Sequence, residues 1–286
     1  EEYDRTETFL PGLQRDLVHS ILDVASKKTI IVLIHGGAVS LGSDILSRAP
    51  GILSASYGGQ MASQALAQVL YGFYNPTGKL AATMYPPSYV NDIPLTEMGL
   101  NVGVGRTHMY YSGTPEFAFG HGLSYSNWVT EWTSSTAATT TTTNVESQLL
   151  VLDPSRSPLK LGINVTNLGP MKGSQTVLLF WSPITITENN KNGRGVRQKL
   201  ADFKGTSLLD VGHSEVLEYE IGYEMFAMWN DDGNLGGSMV AAAGTYQLEA
   251  RVSHDVSSTN SIAVVVLLEE LSSSFGEVRT SLGRSV

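Results

Sequence analysis

The first part of the chain alternates between amphipathic stretches with helical spacing and short, uninterrupted apolar runs. Apolar residues recur on one helical face after Pro11-Gly12, and a second such stretch follows Gln60. The run at 29–34 is rich in β-branched residues, which is typical of a strand covered on both faces. Further strands are predicted at 52–56 and 80–84. This order predicts an α/β layered domain with a mostly parallel sheet.

The periodicity changes along the rest of the chain. Residues 85–119 contain several prolines and glycines and predict a long irregular segment. A Thr-rich stretch at 133–143 predicts a linker or a solvated loop. Short apolar segments separated by turn residues then favour an antiparallel β-sandwich. These segments lie at 159–165, 175–181, 215–221, 245–252 and 262–268.

Four regions follow from this pattern. We expect an α/β domain at 1–125, a Thr-rich linker at 126–147, a β-sandwich at 148–271 and a polar tail at 272–286. The 286 residues are enough for two domains of ordinary size.

Composition and charge exclude several functional classes. Charged residues make up only 16% of the chain and the net charge is -9, which argues against a nucleic-acid partner. No window has the ~18 consecutive apolar residues that a membrane span requires, and Glu1-Glu2-Tyr3 does not resemble a basic, apolar leader. The chain has no Cys, and its 6 His show no metal-ligand spacing. We therefore expect no metal and no cofactor.

A series of short motifs runs through the first region in a fixed order. They are Asp4-Arg5, Leu10-Pro11-Gly12, Gly36-Gly37, Gly58-Gly59-Gln60, Asn75-Pro76-Thr77-Gly78-Lys79-Leu80, Gly105-Arg106-Thr107 and Phe119-Gly120-His121-Gly122-Leu123-Ser124-Tyr125. Together they resemble the second half of the α/β sandwich domain of glycoside hydrolase family 3, β-xylosidase type. Further on, Asn167-Leu168-Gly169 with Met171 and Gly173 is similar to the entry of the fibronectin III-like domain that follows in that family. The resemblance implies a partial α/β domain followed by an all-β, immunoglobulin-like or fibronectin III-like sandwich.

The resemblance also implies a chemistry. Retaining glycosidases use two carboxyl groups about 5–5.5 Å apart. In family 3 the nucleophilic Asp lies on a TIM-like barrel that precedes this region, so we expect an N-terminal barrel-containing chain as partner. Aligning the family's acidic stretch on Asp4-Arg5 puts its second Glu at Glu1 and the catalytic Glu just before it. Glu1 is the one candidate acid/base residue here; the alternative is a solvated acidic run.

The expected function is therefore one part of an exo-acting glycosidase that releases terminal β-linked sugars from plant- or cell-wall-type glycans. A xylosidase, an arabinofuranosidase and a glucosidase all remain open, and this chain alone is expected to be inactive. The resemblance implies an extracellular or cell-wall location. Asn164-Val165-Thr166 is a glycosylation sequon. Without upstream elements, the strand at 29–34 is expected to expose an unpaired edge and an uncovered face.

The rival hypothesis is a non-catalytic carbohydrate-binding or structural assembly protein derived from the same family. Ser40 keeps that rival open, because family members commonly have an Asp at this position. Arg106 is expected to pair with a carboxylate across a domain interface rather than to bind a sugar. His121 is expected to be a structural hydrogen-bonding residue, and the four Trp residues are expected to pack in cores or interfaces.

Overall fold

The computed structural model of the chain describes residues 6–133, 149–152, 158–186, 195–230, 238–252 and 261–268. The chain divides into two units, Glu1–Ser124 and Tyr125–Val286. The predicted tail and residues 134–147 of the predicted linker lie outside the described residues.

The first unit combines short helices with a small parallel sheet. Its elements are α1 (Gln14–Ala25), a 3-10 turn (Ser26–Lys28), β1 (Ile30–Leu33), α2 (Ser43–Leu46), β2 (Gly51–Ser54), α3 (Ala62–Leu70), α4 (Tyr89–Asp92) and α5 (Thr107–Tyr110). Strands β1 and β2 are parallel, with Ile30 opposite Gly51 and Leu33 opposite Ser54. The two predicted strands at 29–34 and 52–56 are therefore present, and the mixture of helix and sheet agrees with the predicted α/β class.

The third predicted strand, at 80–84, does not form. Leu80 N donates to His121 O at 2.8 Å and Gly120 N donates to Leu80 O at 2.8 Å, but the pairing resumes only at Met84, opposite Phe117. Gly120 has a φ of +83°, so the partner segment turns away there and a continuous ladder cannot form. Residues 80–84 therefore make two separate antiparallel contacts instead of a strand.

The core of the first unit lies between α1, β1 and α2. Leu22, Ile31, Leu41 and Ile45 form one buried cluster. Only part of the apolar face predicted for α1 is covered, because Leu13 is 80% exposed and Leu17 is 60% exposed. Leu22 is thus the residue that anchors α1 on the sheet.

The second unit contains two larger sheets. Its strands are β3 (Asn127–Thr133), β4 (Leu149–Leu152), β5 (Leu159–Gly169), β6 (Thr176–Ile186), β7 (Lys199–Gly205), β8 (Ser214–Ile221), β9 (Met228–Asn230), β10 (Ser238–Val240), β11 (Gly244–Arg251) and β12 (Ser261–Leu268), with a 3-10 turn at Tyr223–Phe226. One sheet has the order β4-β12-β11-β6-β7 and another has the order β3-β5-β8. All these pairings are antiparallel except that of β4 with β12.

Burial alternates along β5, β8 and β11, whereas β6 is buried without interruption from Val177 to Trp181. Leu161, Ile163 and Val165 of β5 are buried, whereas the residues between them are half-buried. Trp128 and Trp181 are also buried, and Trp181 Nε1 donates to Met225 O at 2.9 Å. The prediction that these two Trp residues pack in the interior is therefore confirmed. One face of β5 and one face of β8 therefore contribute to the core, as expected for period-2 alternation, whereas β6 is covered on both faces.

The start of the predicted linker at 126–147 is wrong. Residues Asn127–Thr133 form β3 and pair with β5, with Trp128 opposite Asn167. Trp128 and Thr130 are buried at alternate positions. The Thr-rich stretch begins at 133, directly after this short alternation. The composition of 126–147 as a whole therefore indicates a linker, although its first residues form a strand.

Asn167 lies near the end of β5, and its side chain holds the turn that follows the strand. Its side chain is fully buried, and Nδ2 donates to Met171 O at 2.9 Å and to Leu209 O at 3.1 Å. Oδ1 accepts from Gly169 N at 2.8 Å. Every polar atom of the amide group therefore has a partner, as a buried amide requires.

Candidate functional site

The carboxyl ends of β1 and β2 meet at one edge of the parallel sheet. In open α/β sheets this edge is where ligands bind, because the loops that follow the strands converge there. His35 follows β1 by two residues, and Ser54 is the last residue of β2. We call His35, Gly36, Gly37, Ser54, Ser56 and Tyr57 the carboxyl-edge cluster.

The imidazole of His35 is held at both nitrogens. Nδ1 lies 2.5 Å from Gly37 O and Nε2 lies 2.8 Å from Ser54 Oγ. A carbonyl oxygen can only accept, so Nδ1 carries the proton in this arrangement. Nε2 is then the acceptor, and the Ser54 hydroxyl donates to it.

Ser56 fixes the backbone beside His35. Its Oγ donates to His35 O at 3.2 Å, and its φ is +49°, an uncommon conformation for a residue other than Gly. Strained backbone of this kind is concentrated at functional sites. Together, Ser54 and Ser56 hold the side chain and the carbonyl of His35.

An aromatic ring borders the cluster. A Cβ placed on Gly36 would lie 2.6 Å from Cε2 of Tyr57, so the ring lies directly against the Gly36 backbone. Tyr57 is nevertheless 76% exposed. The glycine at position 36 therefore makes room for a ring whose remaining surface faces solvent.

The loop that follows this cluster is held by a distant carboxylate. Glu116 accepts from Ser40 Oγ at 2.6 Å, from Leu41 N at 2.9 Å and from Gly42 N at 2.9 Å. Ser40 is fully buried. The sequence singles out Ser40 as a departure from the family pattern but does not identify Glu116, because no local pattern connects residues so far apart in the chain.

The N-terminal segment reaches the same loop. Ser40 N donates to Thr8 O at 2.8 Å, and Phe9 pairs with Ser40 in a parallel bridge. Glu1, the candidate acid/base residue, lies outside the described residues, as do Asp4 and Arg5. Thr8 and Phe9 are therefore the part of this segment whose contact with the loop is described.

A tyrosine cluster supports the segment around Arg106. The rings of Tyr85 and Tyr89 stack with centroids 3.9 Å apart, and Tyr111 packs edge-on against both. Burial raises the pKa of Tyr89 to about 12. Tyr85 Oη accepts from Thr107 N at 2.7 Å. This cluster fixes Thr107, whose φ is +62°.

Arg106 does not pair with a carboxylate among the described residues. Its NH2 group donates to Pro94 O at 2.9 Å and to Glu97 O at 3.0 Å. The pairing of Arg106 with a carboxylate across a domain interface stays a prediction; within the first unit its guanidinium binds main-chain carbonyls of the turn at 94–97. Arg106 is thus a structural residue of the irregular segment.

Lys79 ties two motifs of the first unit together. Its Nζ donates to Gly122 O at 2.9 Å, and burial lowers the pKa of its ammonium to about 8. His121, next to Gly122, accepts from Leu80 N through its carbonyl, and its ring packs near Phe117. These contacts agree with the structural role expected for His121.

Asn164, the predicted glycosylation site, lies in β5, the central strand of the three-stranded sheet. It is half-buried, with Glu131 and Val216 opposite it on the neighbouring strands. The Thr166 hydroxyl lies 2.8 Å from Ser214 Oγ. Both Asn164 and Thr166 alternate with buried residues, so they share the outward face of the sheet.

Within the described ranges, no group of three or more His, Asp or Glu residues is placed to hold a metal ion. None of the helices described is both long and apolar enough to cross a bilayer.

Comparison with known proteins gives consistent matches. Residues 1–125 match the model of the glycosyl hydrolase family 3 C-terminal domain. Beta-D-xylosidase 1 of Arabidopsis thaliana is 30% identical over 240 residues, which are 77% of this chain and 30% of the relative. Exo-1,4-beta-xylosidase xlnD of Aspergillus awamori is 28% identical over 267 residues, 90% of this chain and 32% of the relative.

The fold has a solved counterpart. The structure of a GH3 exo-beta-xylosidase (XlnD) in complex with a xylobiose aziridine activity-based probe superposes with a TM-score of 0.75 at 24% identity. The match covers 94% of this chain and 34% of that chain. The chain thus spans about a third of the length of the proteins that it matches.

Proposed function

Residues 1–125 belong to the glycosyl hydrolase family 3 C-terminal domain, and from this we propose that the chain is the C-terminal part of a retaining, exo-acting glycosidase of the β-xylosidase type. The observation that carries the proposal is the extent of the similarity. The alignment with the Arabidopsis β-D-xylosidase covers 77% of this chain, more than its first unit alone.

The catalytic mechanism in this proposal needs two carboxyl groups. A nucleophilic Asp attacks the anomeric carbon, and a Glu protonates the leaving oxygen and later activates water. The Asp belongs to a barrel on an N-terminal partner, and Glu1 is the candidate for the acid/base role on this chain. That role for Glu1 rests on the resemblance of Asp4-Arg5 to the acidic stretch of the family.

Exposed apolar residues support a partner for the first unit. Ile30 and Ile34 are 53% and 67% exposed, and β1 pairs only with β2 among the described strands. Leu13, just before α1, and Leu17 of α1 are also exposed. Exposed large apolar residues together with an open strand edge favour an interaction site. In our proposal the barrel-containing chain covers this surface.

The second unit has the features of a fibronectin III-like domain in our proposal. Its three-stranded and five-stranded sheets, with alternating burial along β5, β8 and β11, are consistent with a β-sandwich. A secreted enzyme would carry a glycan on Asn164. Treating native material with a peptide N-glycosidase should lower the mass of the peptide that contains Asn164, and an unchanged mass would contradict glycosylation.

The enzyme proposal is tested on material from the native source. Mass spectrometry under denaturing conditions should find a barrel-containing chain, or a longer chain that includes these residues. The preparation should release nitrophenol from the β-xyloside faster than from the β-glucoside or the α-L-arabinofuranoside. Release from none of the three would favour the non-catalytic alternative, and faster release from another sugar would correct the substrate.

A further inference from the structure

In the carboxyl-edge cluster a serine hydroxyl and an imidazole are in hydrogen-bond contact, and glycoside hydrolysis gives this pair no role. We propose that Ser54 and His35 form a nucleophile–base pair that reacts with short-chain carboxylic esters. The proposal does not depend on the glycosidase function. It rests on the contacts of the described residues alone.

The first element of the arrangement is an activated hydroxyl. Ser54 Oγ lies 2.8 Å from His35 Nε2, within the distance over which a base can take the serine proton. Ser54 is exposed at the end of β2, so an ester can reach it. A serine is a weak nucleophile without such a base.

The second element is the group that orients the base. His35 Nδ1 donates to Gly37 O at 2.5 Å, which leaves Nε2 as the acceptor that faces Ser54. When Nε2 takes up a proton, this bond to the carbonyl stabilises the imidazolium. An orienting acceptor on the far side of the imidazole is the arrangement that serine hydrolases share across unrelated folds.

The third element is a source of oxyanion stabilisation. Within the described part of the chain, the backbone N–H groups of Gly36 and Gly37 donate to no protein acceptor. In our proposal these two N–H groups, which directly follow His35 in the chain, bind the developing negative charge. The exposed ring of Tyr57, packed on Gly36, provides an apolar wall for a small acyl group.

The proposed reaction has two steps, acylation of Ser54 and hydrolysis of the acyl-serine by water. Ser54 Oγ bonds to the ester carbonyl carbon while its proton moves to His35 Nε2. The carbon–oxygen bond to the alcohol then breaks, and the alcohol leaves with the proton from Nε2. Water attacks the acyl-serine with His35 again as the base, which releases the carboxylic acid and restores the Ser54 hydroxyl.

A fluorophosphonate probe tests the proposal on the full chain. It should add one phosphonyl group to Ser54, located by peptide mass spectrometry, and none in Ser54→Ala. Loss of a general base lowers rates about 100-fold or more, so His35→Gln should react at least that much more slowly. The matched control is Ser112→Ala, another exposed serine, whose hydroxyl donates to Val104 O at 3.1 Å; its labelling should equal that of the unsubstituted chain.

Hydrolysis of p-nitrophenyl acetate gives an independent measurement. The unsubstituted chain should release nitrophenol faster than Ser54→Ala, with circular dichroism confirming that the variant is folded. The proposal is overturned if Ser54 is not labelled, or if folded His35→Gln is labelled at the normal rate. It is also overturned if ester hydrolysis is unchanged in Ser54→Ala.

Discussion

Glu116 accepts a hydrogen bond from Ser40 at 2.6 Å, and this contact joins two segments 76 residues apart in the chain. The same carboxylate accepts from Leu41 N and Gly42 N. The resemblance to family 3 implies an Asp at the position of Ser40 in other members. Glu116 therefore supplies the carboxylate at this loop. The loop geometry does not require an acidic residue at position 40.

This relationship predicts a specific pattern of stability. Glu116→Ala leaves three donors without their acceptor and should destabilise the first unit by about 2–3 kcal/mol, given typical values for hydrogen bonds to charged groups. Ser40→Asp alone should also destabilise it, because two carboxylates would meet. The α-helices of the described residues all lie in the first unit, so its unfolding in urea can be followed by the helical circular dichroism band.

The double variant provides the decisive control for this contact. An Asp at 40 can accept from the N–H of Gly42, two residues further on, in the manner of an Asx turn. Ser40→Asp with Glu116→Ala should therefore be more stable than the sum of the two single effects by about 1 kcal/mol or more. If the changes in unfolding free energy are additive, a carboxylate at position 40 cannot replace the one at position 116.

The close contact between Gly122 and Gly78 predicts a large difference between two alanine substitutions. A Cβ on Gly122 would lie 2.1 Å from Gly78 O, whereas a Cβ on Gly78 would meet nothing within 4 Å. Gly122→Ala must therefore displace backbone and should cost about 2–3 kcal/mol in the free energy of unfolding. Gly78→Ala should remain within about 0.5 kcal/mol. Equal effects in urea unfolding would rule out this contact.

Lys79 predicts a pH dependence of stability. Burial lowers the pKa of its ammonium from 10.5 to about 8, so between these pH values the unfolded chain binds the proton that the folded chain has lost. Stability should therefore rise with pH through this window. Below pH ~8 the lysine carries its proton in both the folded and the unfolded state, so its contribution to stability no longer changes with pH.

The matched measurement compares the unsubstituted chain with Lys79→Met at a series of pH values. Other titrating groups contribute equally to both proteins, so the difference in unfolding free energy isolates Lys79. That difference should rise with pH, by up to about 3 kcal/mol between pH 8 and 10.5. A flat difference would contradict a buried ammonium.

Asn167 predicts the cost of losing a buried amide in the second unit. Asn167→Ala removes a side chain that makes three hydrogen bonds and should destabilise the unit by about 2–4 kcal/mol. Asn167→Asp keeps the acceptor for Gly169 N but loses both donors, so it should also be destabilising. All four Trp residues lie in this unit, so their fluorescence reports its unfolding. Wild-type stability in both variants would contradict this role.

Strong local periodicity made much of the fold predictable. The apolar run that becomes β1 and the alternating segment that becomes β8 both appear near their predicted positions. Residues 80–84 are also mostly apolar, but the segment that they contact turns at Gly120. That segment cannot be identified from the local sequence. Strand β3 was missed because the Thr-rich stretch after it masks its alternation.

The candidate site was less accessible to sequence reasoning. Gly36-Gly37 identifies the carboxyl edge through its resemblance to the family motif. The contact of His35 with Ser54 depends on the register between β1 and β2, because each side chain comes from a different strand end. Glu116 comes into contact with the loop at 40–42 only in the folded chain. The functional contacts therefore arise between segments whose separate patterns give no indication of them.

The open edge of β1 has a consequence for handling the protein. The run at 29–34 is apolar and β-branched, and it contains neither a charge nor a proline, which are the features of segments that start cross-β aggregation. Lys27 and Lys28 precede it directly and act as gatekeepers by charge repulsion. High salt screens that repulsion. Concentrated stocks should therefore form fibrils faster in high salt than in low salt, and low-salt storage should keep the chain dispersed.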